Sequence, residues 1–305
     1  MKEIDILCVG EVLIDFIGLQ TNKSILHTTE YARFLGGSPT NVAINASKIG
    51  LKSHLVATCG NDGLGEFIID ELKALKLETS NVKIVDDKAT SIILVSKSTE
   101  TPDFISYRTT DYNITKEQLP IELINKAKIF HTTCFALSKK PAQKTILNRA
   151  KKAYKLGLQL SIDINFSEKI WKDREKAKNI LKRYLKYKPL VKLSNDDCFR
   201  LFNEVKNDDF IFDYFHKQGA KIICLTKGNA GVVVSDISKG IISQEAVKIK
   251  KVVDTTGAGD AFWTGFLYAQ LKSKTLKESI KIAQELASYK IQNIGTIPND
   301  FEFEK

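Results

Sequence analysis

Between residues 120 and 235 the apolar positions switch regularly between two periods. Helical spacing over Pro120–Ala127, Pro141–Lys155, Arg174–Leu185 and Asp208–Gln218 alternates with short apolar runs over Ile129–Thr132, Leu158–Ile162, Leu190–Leu193 and Ile222–Thr226. A spacing near 3.6 predicts helices with one apolar stripe, and the short runs predict buried strands. Gly231–Ser235 reads as a further strand. Nearer the start, Ile4–Val9 reads as a strand ending at Gly10, Val42–Ile49 as a helix stopping at Gly50, Leu55–Thr58 as a strand and Gly65–Leu75 as a helix. Helices over Gly259–Leu271 and Leu276–Gln292 close the chain. Such alternation predicts an α/β fold of βαβ units, with a parallel sheet covered by helices on both faces.

Two stretches break the rule. Val12–Leu19, leading on to Tyr31–Leu35, alternates apolar with polar residues. Ser91–Val95 and Phe104–Arg108 are short, rich in β-branched and aromatic residues, and separated by the polar Lys97–Pro102, which predicts a hairpin. Strands with one wet face do not belong inside a fully covered parallel sheet. Segments 12–35 and 91–109 are therefore expected to form a small antiparallel sheet that caps the main one as a lid. Without a Pro/Gly/Ser-rich linker or a repeat, residues 1–305 are expected to form one domain.

Composition narrows the class. Hydrophobic residues at 43% and charged residues at 27% are ordinary for a soluble globular chain. No apolar run approaches the ~18 residues a membrane span needs, and acids stand at the N-terminus where a secretory leader would be basic, so a cytoplasmic protein without membrane contact is expected. The five cysteines are scattered and form no Cys-x-x-Cys pair, and the four histidines show no metal spacing, which predicts no structural metal. A net charge of +10 raises nucleic acid as a partner. The lysines are largely spread along helices, and aromatics are not regularly interleaved with them, so a solvated basic surface that attracts small anions is expected instead.

The chemistry concentrates at Asp254-Thr255-Thr256-Gly257-Ala258-Gly259-Asp260. A glycine-rich turn feeding a helix presents unpaired N–H groups and the positive end of the macrodipole, a ready site for an anion. Such glycines can be a turn only, and such an Asp can serve the dipole only. A carboxylate repels the anion next to it, however, so Asp260 is expected to handle a proton while the Gly257, Ala258 and Gly259 amides hold phosphoryl charge. A second glycine pair, Gly36-Gly37, precedes Asn41, whose amide both donates to and accepts from hydroxyls. Asp15 lies five residues past Gly10, where a carboxylate can accept from sugar hydroxyls. Thr226-Lys227-Gly228, with Gly231, makes a tight connection after a strand. An Asp beside helix N-terminal amides is expected to stay ionised with an ordinary pKa. Neither Gly-x-x-x-x-Gly-Lys-Ser/Thr nor Gly-x-Gly-x-x-Gly after the first strand occurs, which argues against P-loop and dinucleotide chemistry.

In this order, over essentially the whole chain, these residues resemble the ribokinase-like carbohydrate kinases, closest in pattern to fructokinases and 2-keto-3-deoxygluconate kinases. Gly60-Asn61-Asp62-Gly63-Leu64-Gly65 fits the family's Gly-x-Asp-x-x-Gly stretch. The resemblance implies a Rossmann-like αβα sandwich with a β lid, and ATP-dependent phosphorylation of a hydroxyl with Asp260 as base. Thr226, Gly228 and Gly231 would then line the nucleotide side, with Gln284 in place of an adenine-side asparagine. Magnesium would ride on the ATP phosphates, and Asp254 with the loop near Gly295 sits where some members bind a monovalent cation such as K+. Ser194-Asn195-Asp196-Asp197 aligns with the family's Asn-x-x-Glu motif, so Asp197 would replace the glutamate that helps place magnesium.

The departures bear on substrate. Asp163-Ile164-Asn165-Phe166-Ser167, with Trp171, matches an Asp-Pro-Asn-x-Arg…Trp stretch in which Ser167 replaces the arginine. Losing a guanidinium costs most where a substrate carboxylate needs a charged fork, so a neutral sugar is expected. Arg108, at the lid, and Asp163 are expected near the sugar. Ser38 stands where ribokinases carry lysine, which argues against ribose. Fructose is the first expectation; 2-keto-3-deoxygluconate kinase, nucleoside kinase and a non-catalytic sugar sensor are the alternatives. A homodimer joined through the lid edges is expected.

Overall fold

In the computed structural model, residues 2–98, 103–249, 251–293, 297–298 and 301–303 are described. In chain order the elements are β1 (Ile4–Val9), β2 (Leu13–Thr21), β3 (Tyr31–Gly36), α1 (Ser38–Lys48), β4 (Ser53–Gly60), α2 (Gly63–Ala74), β5 (Val82–Val85), β6 (Ile92–Lys97) and β7 (Phe104–Tyr107). There follow α3 (Ile121–Asn125), β8 (Ala127–Thr133), α4 (Ala142–Lys155), β9 (Gln159–Asp163), α5 (Arg174–Leu185), β10 (Leu190–Ser194), α6 (Asn195–Phe202) and α7 (Asp208–Lys217). β11 (Ile222–Thr226), β12 (Val232–Asp236), β13 (Gly240–Gln244), α8 (Ala258–Leu271) and α9 (Leu276–Gln292) complete the chain.

Nine strands form the main sheet in the order β13-β12-β11-β10-β9-β8-β1-β4-β5. Every pairing from β11 across to β5 is parallel, and β12 and β13 add an antiparallel edge. Strands buried on both faces divide their side chains between two cores with period two. Leu7 and Val9 of β1 enter the core under α3, α4, α5, α6 and α7. Ile6 and Cys8 enter the core under α1, α2, α8 and α9. This is the doubly covered α/β body expected from the alternating pattern.

The second sheet, ordered β3-β2-β6-β7, draws on both stretches that broke the alternation. β2 pairs antiparallel with β3, and β6 with β7. The central pair, β2 with β6, is parallel, with Ile14 opposite Ile92, which corrects the expectation of a wholly antiparallel sheet. Parallel neighbours need a long crossover, and α1, β4, α2 and β5 supply it. The polar stretch between β6 and β7 includes residues 99–102, which lie outside the described residues.

Three further differences have local causes. α1 begins at Ser38 rather than Val42, because Gly37 caps it with φ +107° and Pro39 fits the first turn, where its missing N–H costs nothing. α6 starts from a capping box in which Ser194 and Asp197 satisfy each other's backbone N–H groups. α3 is shorter than expected, since Ala127 already pairs with Ile4 in the sheet. β5 and β13 were not expected either; each is a short edge strand, held by one neighbour. No helix among the described residues is long and apolar enough to cross a membrane.

Candidate active site

The first turn of α8 opens on Gly257, whose φ of +74° puts it in the left-handed region that a side chain disfavours. With no side chain capping the helix, its leading amides stay available. The Ala258 N–H closes a turn on the Thr255 carbonyl at 3.1 Å, so of the three amides expected to hold an anion this one is engaged locally. The N–H groups of Gly257 and Gly259 have no acceptor among the described residues.

Asp260 follows on the same turn, buried at 9% exposure. Ser38 Oγ donates to its Oδ1 at 2.6 Å and Asn41 Nδ2 to its Oδ2 at 2.8 Å. Both donors come from the first turn of α1, which is anchored in turn by Thr40 Oγ1 donating to the Glu11 carbonyl at 2.9 Å. The second glycine pair thus works by carrying donors to the carboxylate. Burial pushes Asp260 above the usual carboxylate range, opposed first by Lys192 and then by Ser38, Asn41 and Lys290. The expectation of an ordinary pKa is corrected: the helix amides do not outweigh the loss of water.

Asp15, half-buried in β2, faces the same cleft. Burial and then the negative charge of Asp260 push it up to about 7. A Cβ on Gly36 would stand 2.2 Å from Asp15 Oδ2, so a glycine is needed at 36 for this carboxylate to keep its place. Glu11, unforeseen, is buried, pushed up to about 8 by burial, and accepts from Thr133 Oγ1 at 2.8 Å. Burial likewise pushes Asp163 to about 7. Each of these acids holds a proton in the folded state over a range where the unfolded chain has released it. Their joint contribution to stability therefore falls as pH rises from about 4 to about 8, while their ionisation for chemistry grows.

Beside the turn lies a cavity of about 520 Å³, lined by Thr226, Gly228, Gly231, Gln284, Ala258 and Gly259 among others. The expected nucleotide-side residues are thus gathered against the start of α8. Gln284 is braced rather than open: its Nε2 donates to the Glu245 carbonyl at 2.8 Å and its Oε1 accepts from Gln244 at 3.0 Å.

Three of the expected site residues are engaged with partners inside the protein. Asp197 caps α6, its Oδ1 accepting from Phe166 N at 2.9 Å and its Oδ2 from Ser194 N and Oγ at 2.7 Å. Arg108 is buried and paired, with Nε 2.9 Å and Nη2 2.5 Å from Asp111 Oδ2 and its guanidinium over the Phe135 ring. Asp163 is 1% exposed and holds Lys192 Nζ at 2.8 Å, so it lies beneath the cleft instead of lining it. At Asp254, Oδ1 accepts from Thr256 N at 2.9 Å and Oδ2 lies 3.9 Å from Lys290 Nζ. An ammonium already faces that carboxylate, which does not suit a further monovalent cation; the loop at Gly295 lies outside the described residues.

Ser38, Glu11, Lys192 and Lys290 are the site residues that sequence reasoning missed. Lys192 left a signal, a lysine inside the apolar run Leu190–Leu193; Ser38 left only its place beside the glycine pair.

The profile of the pfkB family carbohydrate kinases matches residues 3–302. An ATP-dependent 6-phosphofructokinase of Thermoanaerobacterium thermosaccharolyticum is 34% identical over 97% of this chain and 90% of its own. A crystal structure of an uncharacterized sugar kinase of Pyrococcus horikoshii in complex with ATP superposes with a TM-score of 0.85 at 27% identity, over 97% of this chain and 96% of that one. The fructokinase of Halothermothrix orenii gives a TM-score of 0.79 at 32% identity, over 92% and 98%.

Proposed function

We propose that this chain, which belongs to the pfkB family of carbohydrate kinases, transfers the γ-phosphoryl group of ATP to a hydroxyl of a neutral ketose, fructose first. The observation that carries the reading is the Asp260 carboxylate. It is held by Ser38 and Asn41 at the start of α8, next to the glycine turn and the cavity on one side and to Asp15 on the other.

In this reading Asp15, Gly36, Gly37 and Asn41 bound the sugar, and the four-stranded sheet closes over it to exclude water. Asp260 accepts the hydroxyl proton as the sugar oxygen bonds to the γ-phosphorus. The bond from that phosphorus to the β-phosphate bridging oxygen breaks, and ADP leaves. Phosphoryl transfer asks for positioning and charge stabilisation rather than covalent help, and in this reading the Gly257 and Gly259 amides supply it at the transferred group. Magnesium enters as part of the nucleotide substrate, on its phosphates, and no step needs a monovalent cation. Neutral sugar is supported by two absent forks: Ser167 stands where a guanidinium would be, and Arg108 is committed to Asp111. The similarity to a fructokinase supports the ketose. A second reading, a ketose 6-phosphate acceptor, draws on the relative that bears the name 6-phosphofructokinase.

A coupled ADP-release assay with MgATP tests this across fructose, fructose 6-phosphate, ribose, 2-keto-3-deoxygluconate and adenosine. Fructose is expected to give the highest kcat/KM. Preference for fructose 6-phosphate would move the reading to the phosphorylated acceptor, and binding without ADP release on any sugar would make the protein a sensor.

We also propose a homodimer through the second sheet, which exposes Leu19, Phe34, Ile105 and Tyr107 and whose outer strands leave backbone groups unpaired. Sedimentation is expected to give twice the 34.2 kDa chain mass; a monomer mass would remove the dimer.

A further inference from the structure

One charged group at the site belongs to no motif. Lys192 stands in the middle of β10 with its side chain 9% exposed. A cation so buried needs compensation, and a buried ion pair seldom stabilises a fold more than apolar packing would. The side chain crosses beneath the first turn of α8, where a Cβ on Gly259 would stand 2.8 Å from Nζ. A glycine at 259 therefore lets the ammonium keep this place. Asp163 fixes Nζ through Oδ2 at 2.8 Å, while its Oδ1 is buried with no hydrogen-bond partner among the described residues. Burial works against the charge of Lys192, but Asp163, Asp197 and Asp260 together hold it raised. One ammonium thus answers three carboxylates, and one of the three is the residue beside Gly259.

We propose that Lys192 is the positioning cation of this active site: clamped by Asp163 beneath Gly259, it keeps Asp260 in the ionised form that accepts the proton and adds positive potential to the turn that receives the phosphoryl group. The proposal rests on the reading of Asp260 as the base. The charged groups that face Asp260 come from four elements. Lys192 on β10 and Lys290 on α9 favour its ionised form. Asp15 on β2 and Asp163 on β9 carry charge of the same sign, each of them raised in part by Asp260. Among the influences that hold Asp260 down against burial, Lys192 is the largest.

The test is the pH dependence of kcat/KM for the sugar in wild type, Lys192→Met, Asp163→Asn and the charge-balanced double variant, with thermal melts alongside. Lys192→Met is expected to move the acid limb up by about one pH unit or more, with roughly tenfold lower turnover just above the wild-type limb. Asp163→Asn is expected to move the limb down, because the ammonium loses the counter-charge that competes with Asp260. The double variant is expected to melt near wild type, with its limb between those of the single variants. A lysine with only a structural role would lower the melting temperature and scale the whole profile, leaving the limb in place. A limb unmoved in folded Lys192→Met, or shifts of one sign in both single variants, would overturn the proposal. Should Lys192→Met not fold, the limbs of Asp163→Asn and of the double variant decide the same question. Turnover surviving in Asp260→Asn is a separate outcome, which removes the base itself.

Discussion

Asp260→Asn is expected to lower kcat by ~10²–10⁴, the range that general-base removal costs, with sugar and nucleotide affinity close to wild type. The amide is isosteric with the carboxylate and can stay in its network. Its oxygen accepts from Asn41 Nδ2, and its NH₂ faces Ser38, whose hydroxyl can turn to accept. What it loses is the capacity to take a proton. Stability is expected to respond in the opposite sense. The folded-state pKa of Asp260 is raised, so the folded chain binds this proton more tightly than the unfolded one, and wild-type stability falls as pH rises through that window. The variant lacks this loss, and its melting temperature relative to wild type is expected to climb between pH 5 and pH 8. Isothermal titration with the sugar, turnover and melts at both pH values check all three statements. Retention of more than about a tenth of wild-type turnover would be far too small a loss for a base and would return the Gly257 turn to a purely structural role.

Gly36→Ala is expected to raise the sugar KM by about two orders of magnitude while the ATP KM stays within a few fold, since small displacements of a positioning group can cost ~10²-fold. The new methyl would lie 2.2 Å from Asp15 Oδ2, 2.6 Å from its Cγ and 2.8 Å from Leu13 Cδ1. Asp15 is half-buried and ends in a carboxylate that can swing out, so the chain relieves the clash by moving the group meant for the sugar rather than by unfolding. Asp15→Ala is expected to match that loss, and the double variant to be little worse than either, because both remove one interaction. An unchanged sugar KM in Gly36→Ala would take Asp15 out of the sugar site. A parallel rise in the ATP KM would mean that the damage had spread through the sheet.

Much of the fold and part of the site were legible in the chain. The period-two and period-3.6 patterns gave β11, α5 and α9 their observed bounds, since periodicity is a property of a few consecutive residues. The glycine turns were legible for the same reason: a backbone that must pass through positive φ at Gly37 and Gly257 selects glycine locally. Short elements such as β5 and α6, four and eight residues long, were not legible. An edge strand is defined by its neighbour, and α6 by a cap that reads first as a catalytic motif.

By itself the sequence determined the layered α/β body, the two stretches outside it and an acid placed next to a glycine turn at a helix start. Tertiary structure alone decided the state of each charge. Ser38 reaches Asp260 across 222 positions, and Lys192 reaches Asp163 across 29, because the strand order makes them neighbours. Even Arg108 and Asp111, three residues apart, needed the fold, since burial of both turned a lid arginine into an internal ion pair. Burial and pairing set whether a side chain is ionised and where it points, and both depend on what the rest of the chain packs around it.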